Sequence, residues 1–302
     1  MTAPSLNDRF RGALLGLAAG DAVGTTVEFR KPGSFEPVTD MVGGGPFGLL
    51  PGQWTDDTSM ALCLATSLVK CGGFDARDQM RRYLRWMNEG YLSSNGLCFD
   101  VGNTVRAALE RFEETGEPFS GSKHPHSAGN GSLMRLAPVV LFYHPDRDLV
   151  LRYAAASSRT THGAAECVDA CRLFAELLLR ALSGASKREI LGPVATGSTS
   201  ERLQAIAAGG HAGRTLAQVR GTGYVVDALE AALVCFARAE TFREAILSAT
   251  NLGDDADTTA AICGQIAGAH HGVGGIPASW LAKLALREEI EALADRLQAG
   301  PA

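Results

Sequence analysis

The 302-residue sequence has no apolar run approaching the length of a membrane span. Its apolar N-terminal stretch carries Asp8, Arg9 and Arg11 inside a helical pattern and leads into Asp21 without a cleavage context, so no signal peptide is expected. No Lys/Arg-rich run occurs, and the net charge is −5, which argues against a nucleic-acid footprint. The sequence also lacks CxxC and HxxxH pairs. Its seven cysteines (Cys63, Cys71, Cys98, Cys167, Cys171, Cys235 and Cys263) are odd in number, and most fall in apolar helical patterns. That usage suits buried thiols in a reducing compartment, and a cytoplasmic protein is expected. Cys167 and Cys171 share one helix face, but without a second pair zinc is the weaker reading. There is no series of alternating strands, no βαβ rhythm, no repeat and no low-complexity tract.

Helical periodicity fills the chain instead. Phe10, Ala13, Leu14 and Leu17 form one stripe. Similar spacing predicts helices over 7–20, 57–70, 77–87, 101–113, 132–142, 147–157, 163–183, 223–238, 241–249, 257–271 and 278–297. The segment 184–222 carries only short helical patterns, as a surface excursion or linker would. The expected fold is all-α, a compact orthogonal helix bundle in one domain over residues 1–302. Of the 35 glycines, many mark loops at 43–54, 121–123 and 129–131. Gly264 and Gly268, four apart in one helix, predict a close helix approach at some cost in propensity.

Two short stretches carry the chemistry. "WTDDTSMAL" at 54–62 and "TNLGDDADTTA" at 250–260 each place acids and threonines just before an apolar helix. Small oxygen-bearing residues cap helices, and acids suit the positive end of the helix dipole, so Thr55, Asp56, Asp57 and Thr58 taken alone read as caps. A second cluster of the same composition changes the balance. A cap needs one oxygen, whereas Asp56, Asp57, Asp254, Asp255 and Asp257 supply five carboxylates that repel one another unless cations neutralise them. Oxygen-only donors select Mg²⁺, Ca²⁺ or Mn²⁺. If the two helix starts meet, a dinuclear metal site at helix N-termini follows, with ions roughly 3.5–4 Å apart. No EF-hand loop fits, because its Gly and closing Glu are missing. "SAGNGSLMR" reads as a turn and N-cap, with a helix opening at Ser132 whose free N–H groups would suit a phosphate. His270 and His271 read as C-terminal groups that complement the helix dipole.

The motifs "GALLGLAAGDAVGTTVEF" (12–29), "WTDDTSMAL" (54–62), "GNGSLMRLAPV" (129–139), "TTHGA" (160–164) and "NLGDDADTTAAICGQIAGAHHGVGGIPASW" (251–280), in that order, resemble the ADP-ribosylglycohydrolase family. The resemblance implies an all-α fold, two Mg²⁺ or Mn²⁺ ions, and hydrolysis of the bond between the terminal ribose of ADP-ribose and an acceptor, with arginine favoured. It implies metal ligation by Thr55, Asp56, Asp57, Asp255, Asp257 and Thr258, and catalytic roles for Asp56, Asp57 and Glu28. Either Asp56 or Asp57 is the expected general base, and Glu28 is expected to reach the metals or the ribose. Substrate contacts are implied at Gly102, Asn103, Gly129, Asn130, Gly131, Ser132, Met134, His162, Asn251 and Gly253. Asp254 departs from the family's usual glycine and is expected behind the ligands or as a cap. The implied partner is an ADP-ribosylated protein or a small ADP-ribose conjugate, met by a monomer, with no membrane or nucleic-acid partner. Two other readings share these residues. One is a dinuclear-metal phosphoesterase acting on nucleotides. The other is a non-catalytic ADP-ribose-binding relative of the crystallin kind, which would be free to lose the acids.

Overall fold

Local signals start and stop the helices where the residues dictate. Ser5 and Asp8 form a reciprocal capping box at the first helix. Asp75 accepts from the N–H groups of Arg77 and Asp78 to open the third. Gly72, Gly90 and Gly116 close successive helices with positive φ, a conformation that costs glycine nothing. The computed structural model describes residues 3–300. It consists of α1 (Leu6–Gly24), α2 (Asp56–Cys71), α3 (Ala76–Glu89), α4 (Asn103–Thr115), α5 (Ala137–Tyr143), α6 (Arg147–Thr161), α7 (Ala165–Leu182), α8 (Lys187–Ile190), α9 (Glu201–Ala207), α10 (Val225–Arg238), α11 (Phe242–Thr250), α12 (Ala256–His271), α13 (Ala278–Lys283) and α14 (Arg287–Gln298). Among the described residues there is no sheet, only isolated bridges such as Gly129 with Tyr224. The all-α expectation is met, and one contiguous hydrophobic cluster runs through the bundle. No helix among the described residues is long and apolar enough to cross a membrane.

The centre of the bundle is the antiparallel pair α1–α12. Both helices are buried on nearly every side, which is how an amphipathic pattern fades into a uniformly apolar and small-residue one. Their contact is a ladder of glycines. A Cβ added to Gly12 would lie 2.2 Å from the Gly268 carbonyl oxygen, one on Gly16 2.3 Å from that of Gly264, and one on Gly20 2.1 Å from that of Ala260. At the end of the ladder a Cβ on Gly24 would lie 2.4 Å from Cα of Asp257. The helices thus touch backbone to backbone, and Asp21 is brought beside the start of α12. The close approach expected at Gly264 and Gly268 is present, and its partner is the four-residue glycine spacing of α1.

Four expected segments differ in their bounds. Residues 131–135 are turns, and α5 begins only at Ala137, with Pro138 in its first turn. The Asn130 carbonyl accepts from Leu133 N–H at 2.8 Å and Met134 N–H at 3.1 Å, which curls the chain tightly before the helix. The run 278–297 is two helices, broken where Leu286 adopts φ +51°. The segments 101–113 and 223–238 become helical only at Asn103 and Val225. Residues 184–222 carry the short α8 and α9, as their pattern implied.

Candidate metal centre and its cavity

Neither acidic cluster caps its own helix. Thr55 before α2 and Asp255 before α12 make no side-chain capping bond. The cap on α2 comes from α1. Oδ1 of Asp21 accepts from both the N–H and Oγ1 of Thr55 at 2.9 Å, and Oδ2 accepts from Thr58 N–H at 3.0 Å and Thr58 Oγ1 at 2.6 Å. The capping reading of Thr55–Thr58 is therefore corrected: the N–H groups of Thr55 and Thr58 are satisfied from α1, and the side chains of Asp56 and Asp57 do not cap α2. Asp21 was not among the expected site residues. Its signal is an acid that follows the apolar, small-residue run 12–20 in the second half of α1.

The two helix starts do meet. Ligand oxygens of Asp21, Asp57 and Asp257 lie within 4.8 Å of one another, and so do those of Glu28, Asp100 and Asp257. Asp257 belongs to both groups. Thr55 Oγ1 lies 3.2 Å from Asp57 Oδ2 and 3.3 Å from Asp257 Oδ2, and Thr258 Oγ1 lies 3.4 Å from Asp57 Oδ2. Asp255 Oδ2 accepts from Asn130 Nδ2 at 2.7 Å. Oδ1 of Asp57 and Oδ1 of Asp257 are buried without any partner. A buried acceptor left unpaired is costly, and the more so on a carboxylate. Burial pushes the carboxyls of Asp56, Asp57 and Asp257 well above the usual range, and their acidic neighbours push the same way. Burial, then the charge of Asp100, raises Glu28 to about 9, and burial, then Asp255, raises Asp100 to about 7. An all-oxygen set with orphaned carboxylate oxygens and mutual repulsion fits hard divalent cations. Both oxygens of Asp21 accept hydrogen bonds from Thr55 and Thr58, whereas Asp57 and Asp257 each keep an unpartnered oxygen.

A cavity of about 860 Å³ opens above this cluster. Glu28, Asp56, Asp255 and Thr258 reach its wall, whereas Thr55, Asp57 and Asp257 lie beneath it. Gly129, Asn130, Gly131 and Met134 form one side, with His162. Gly102 and Asn103, at the start of α4, form another. The start of α4 thus opens onto the cavity beside those of α2 and α12, whereas no helix starts at Ser132. Three expected contacts are not on the wall. Ser132 is buried and accepts from Ser158 Oγ at 2.9 Å. Asn251 clamps the backbone of Val38, accepting from its N–H at 2.8 Å and donating to its carbonyl at 2.9 Å. Gly253 sits at φ +69°, where a Cβ would lie 2.6 Å from the Arg30 carbonyl oxygen. All three are scaffold positions: the first fixes the turn, and the others fix the loop before α12.

The wall also holds residues that were not among the expected contacts, Phe29, Asp100 and Arg220 among them. Phe29, Asp100 and Asp254 have φ of 62°, 56° and 56°, a region that non-glycine residues avoid and that clusters at functional sites. Phe29 N–H donates to the Asp254 carbonyl at 2.7 Å, and Asp254 N–H to that of Arg30 at 2.8 Å, which ties the two strained loops together. Asp254, expected behind the ligands, holds Arg220 through both carboxylate oxygens at 2.7–2.9 Å. Cys167 and Cys171 join no metal-binding cluster among the described residues.

A family model described as ADP-ribosylglycohydrolase matches residues 2–301. The chain is 48% identical over 290 residues to the ADP-ribosylarginine hydrolase Tri1 of Pseudomonas putida (strain GB-1), covering 96% of this chain and 78% of that protein. It is 35% identical over 304 residues to the ADP-ribosyl-[dinitrogen reductase] glycohydrolase of Rhodospirillum rubrum, covering 96% and 95%. Among solved structures, a chain of an "ADP-ribosylglycohydrolase-related protein complex" matches with a TM-score of 0.86 at 46% identity, over 98% of this chain and 99% of that one.

Proposed function

The chain belongs to the ADP-ribosylglycohydrolase family, and from that premise we propose that it hydrolyses the N-glycosidic bond between the terminal ribose of ADP-ribose and an arginine side chain. The observation that carries this reading is the pair of carboxylate groups sharing Asp257 beneath a cavity of about 860 Å³. That volume lies in the range of small-molecule and cofactor pockets. Thr55, Asp56, Asp57, Asp255, Asp257 and Thr258 would hold two cations of the Mg²⁺ or Mn²⁺ class, with Glu28 and Asp100 beside them. When bound, the cations supply Lewis-acid charge that orients ribose hydroxyls and polarises the water that is added.

The chain's own residues account for the rest. Asp56 reaches the cavity wall while Asp57 does not, which favours Asp56 as the base that takes a proton from the attacking water. Water adds at the anomeric carbon through an oxocarbenium-like state, the C–N bond breaks, and the guanidine leaves with the proton that Asp56 took from the water. Glu28 lies between the carboxylate cluster and the cavity, in position to accept from a ribose hydroxyl. The Gly129–Gly131 turn and the start of α4 line the side on which the anionic diphosphate is held, because free N–H groups and the helix dipole favour negative charge there. The seven free thiols, five of them buried, support a reducing, cytoplasmic setting. We read the chain as a monomer and as one domain, since a single contiguous cluster makes up nearly all of its core.

The test is release of free ADP-ribose from arginine-ADP-ribosylated and serine-ADP-ribosylated peptides, in EDTA and then with Mg²⁺ or Mn²⁺ restored. Release from the arginine peptide only when metal is present is expected. Release of phosphate in place of ADP-ribose, or no release from the arginine peptide with either metal, would refute the reading.

A further inference from the structure

Arg135 buries its guanidinium completely behind the Gly129–Gly131 turn, and among the described residues no carboxylate pairs with it. A cation held so deep without a counter-ion is costly, so what it touches is informative. Nη1 donates to the Gly131 carbonyl at 2.7 Å, and Nη2 donates to Oγ1 of Thr161 at 2.8 Å. Nε has no partner. The guanidinium also faces the Tyr83 ring, 4.9 Å from its centroid. Oγ1 of Thr161 lies 2.8 Å from Nδ1 of His162. The His162 ring lies directly under the turn: a Cβ on Gly131 would be 2.9 Å from its Cε1, and one on Gly129 3.3 Å from its Nε2. A continuous chain of contacts therefore runs from the core through Arg135 and Thr161 to a ring on the cavity wall.

Counting protons gives this chain a direction. A guanidinium only donates. The Thr161 hydroxyl therefore accepts from Arg135, and its own proton goes to Nδ1 of His162, the acceptor beside it. The opposite arrangement would leave a buried hydroxyl proton without an acceptor. With Nδ1 accepting, the neutral imidazole carries its proton on Nε2, the nitrogen next to Gly129. The second Arg135 contact acts on the turn itself. It draws the Gly131 carbonyl inward, and in a planar trans peptide the N–H of Ser132 then points the other way.

We propose that Arg135 and Thr161 are positioning residues that fix the His162 tautomer and the orientation of the glycine turn, so that Nε2–H is held as a donor to an acceptor atom of the ADP-ribose unit. The proposal rests on the reading of the cavity as an ADP-ribose site. It makes His162 a fixed neutral donor and gives it no part in proton transfer.

The test uses the full chain labelled with ¹⁵N-histidine, the His162 signals being assigned with His162→Gln. Ring ¹⁵N shifts of the wild type should show protonated Nε2 and unprotonated Nδ1. Thr161→Val keeps the shape and removes the hydroxyl. It should mix the tautomers and weaken ADP-ribose binding about tenfold by calorimetry, with KM raised to match and kcat little changed. Thr161→Ser should restore both readouts, which a merely structural role would not require. Protonated Nδ1 in the wild type, or wild-type tautomer and affinity in Thr161→Val, would overturn the proposal. If Thr161→Val fails to fold, the wild-type spectrum and Thr161→Ser still decide it. Failure of the wild type to bind ADP-ribose would overturn the functional reading and with it the donor's ligand, whereas the tautomer stands or falls on the spectrum.

Discussion

Replacing Gly16 with alanine sets helix propensity against packing. Alanine is favoured over glycine inside a helix by about 0.8–1 kcal/mol, so propensity alone predicts a more stable protein. Packing predicts the reverse. The new Cβ would lie 2.3 Å from the Gly264 carbonyl oxygen and 3.1 Å from Cε2 of Phe242. A carbon–oxygen contact settles at about 3.3 Å, so α1 and α12 must part locally by roughly 1 Å. The blocking atom is backbone and cannot swing aside. Overpacking of this kind costs about 1–3 kcal/mol, and the upper end applies here. The expected net loss is about 2 kcal/mol, or roughly 4 °C in Tm for a chain of this size. The site should respond as well, because α1 carries Asp21 and α12 carries Asp257, and ligand sets tolerate only about 0.5 Å of misplacement. Thermal melts, with Mn²⁺ titrations by calorimetry, check both effects. Gly213→Ala is the control, since nothing lies within 4 Å of its added Cβ. A Gly16→Ala protein that melts at or above the wild type and binds Mn²⁺ equally well would refute the steric account of the ladder.

Three further outcomes are expected. Asp257→Asn, at the carboxylate common to both groups, should lower kcat by more than about a hundredfold, beyond the loss from an outer-sphere contact, while circular dichroism shows the fold retained. With cations stripped, Glu28 and Asp100 hold their protons up to about 9 and about 7. Their folded-state pKa values are raised, so the stability they contribute is complete below about pH 4 and is lost as pH rises through those values. Melts in EDTA should therefore fall between pH 5 and pH 9, and Mg²⁺ or Mn²⁺ should flatten the slope; equal slopes with and without metal would count against cation binding by this cluster. His162 has the opposite sign. Burial, reinforced by the charge of Arg135, lowers it to about 3, so its contribution is complete above about pH 6.5 and is lost as pH falls towards 3. His162→Gln should shrink the difference between urea melts at pH 7 and pH 4, and an unchanged difference would remove His162 from the acid limb.

Much of the architecture was legible because helical periodicity is a local property. The stripes predicted the long helices at nearly their observed positions, and both acidic clusters stand at the starts of α2 and α12. What could not be read is which distant backbone meets which. Gly264 and Gly268 signalled a close neighbour, yet the partner spacing Gly12, Gly16, Gly20 and Gly24 lies some 250 residues earlier in an ordinary-looking helix. Ser132 looked like an N-cap because serine before an apolar run usually is one. Pro138, which fits a helix only in its first turn, was the better mark of where α5 begins. Asp100 stands in a loop with no periodicity, and only its left-handed backbone and its neighbours Glu28 and Asp257 set it apart.

The ambiguity between cap and ligand at Thr55–Thr58 has a physical resolution that a single stretch of chain cannot contain. The same side chains serve either purpose, and the choice depends on whether something else satisfies the free N–H groups of α2. Here Asp21 takes the N–H of Thr58 and that of Thr55 just before the helix, with both threonine hydroxyls. Asp21 lies in the stretch of α1 that runs against α12 without side chains between them, so the contact that sets this helix spacing also brings Asp257 alongside the residue that caps α2. Burial of the Asp56, Asp57 and Asp257 carboxylates raises the energy of the cation-free site, which is the condition under which cation binding stabilises the fold most. At this end of the bundle, stability and chemistry are coupled through the same few atoms.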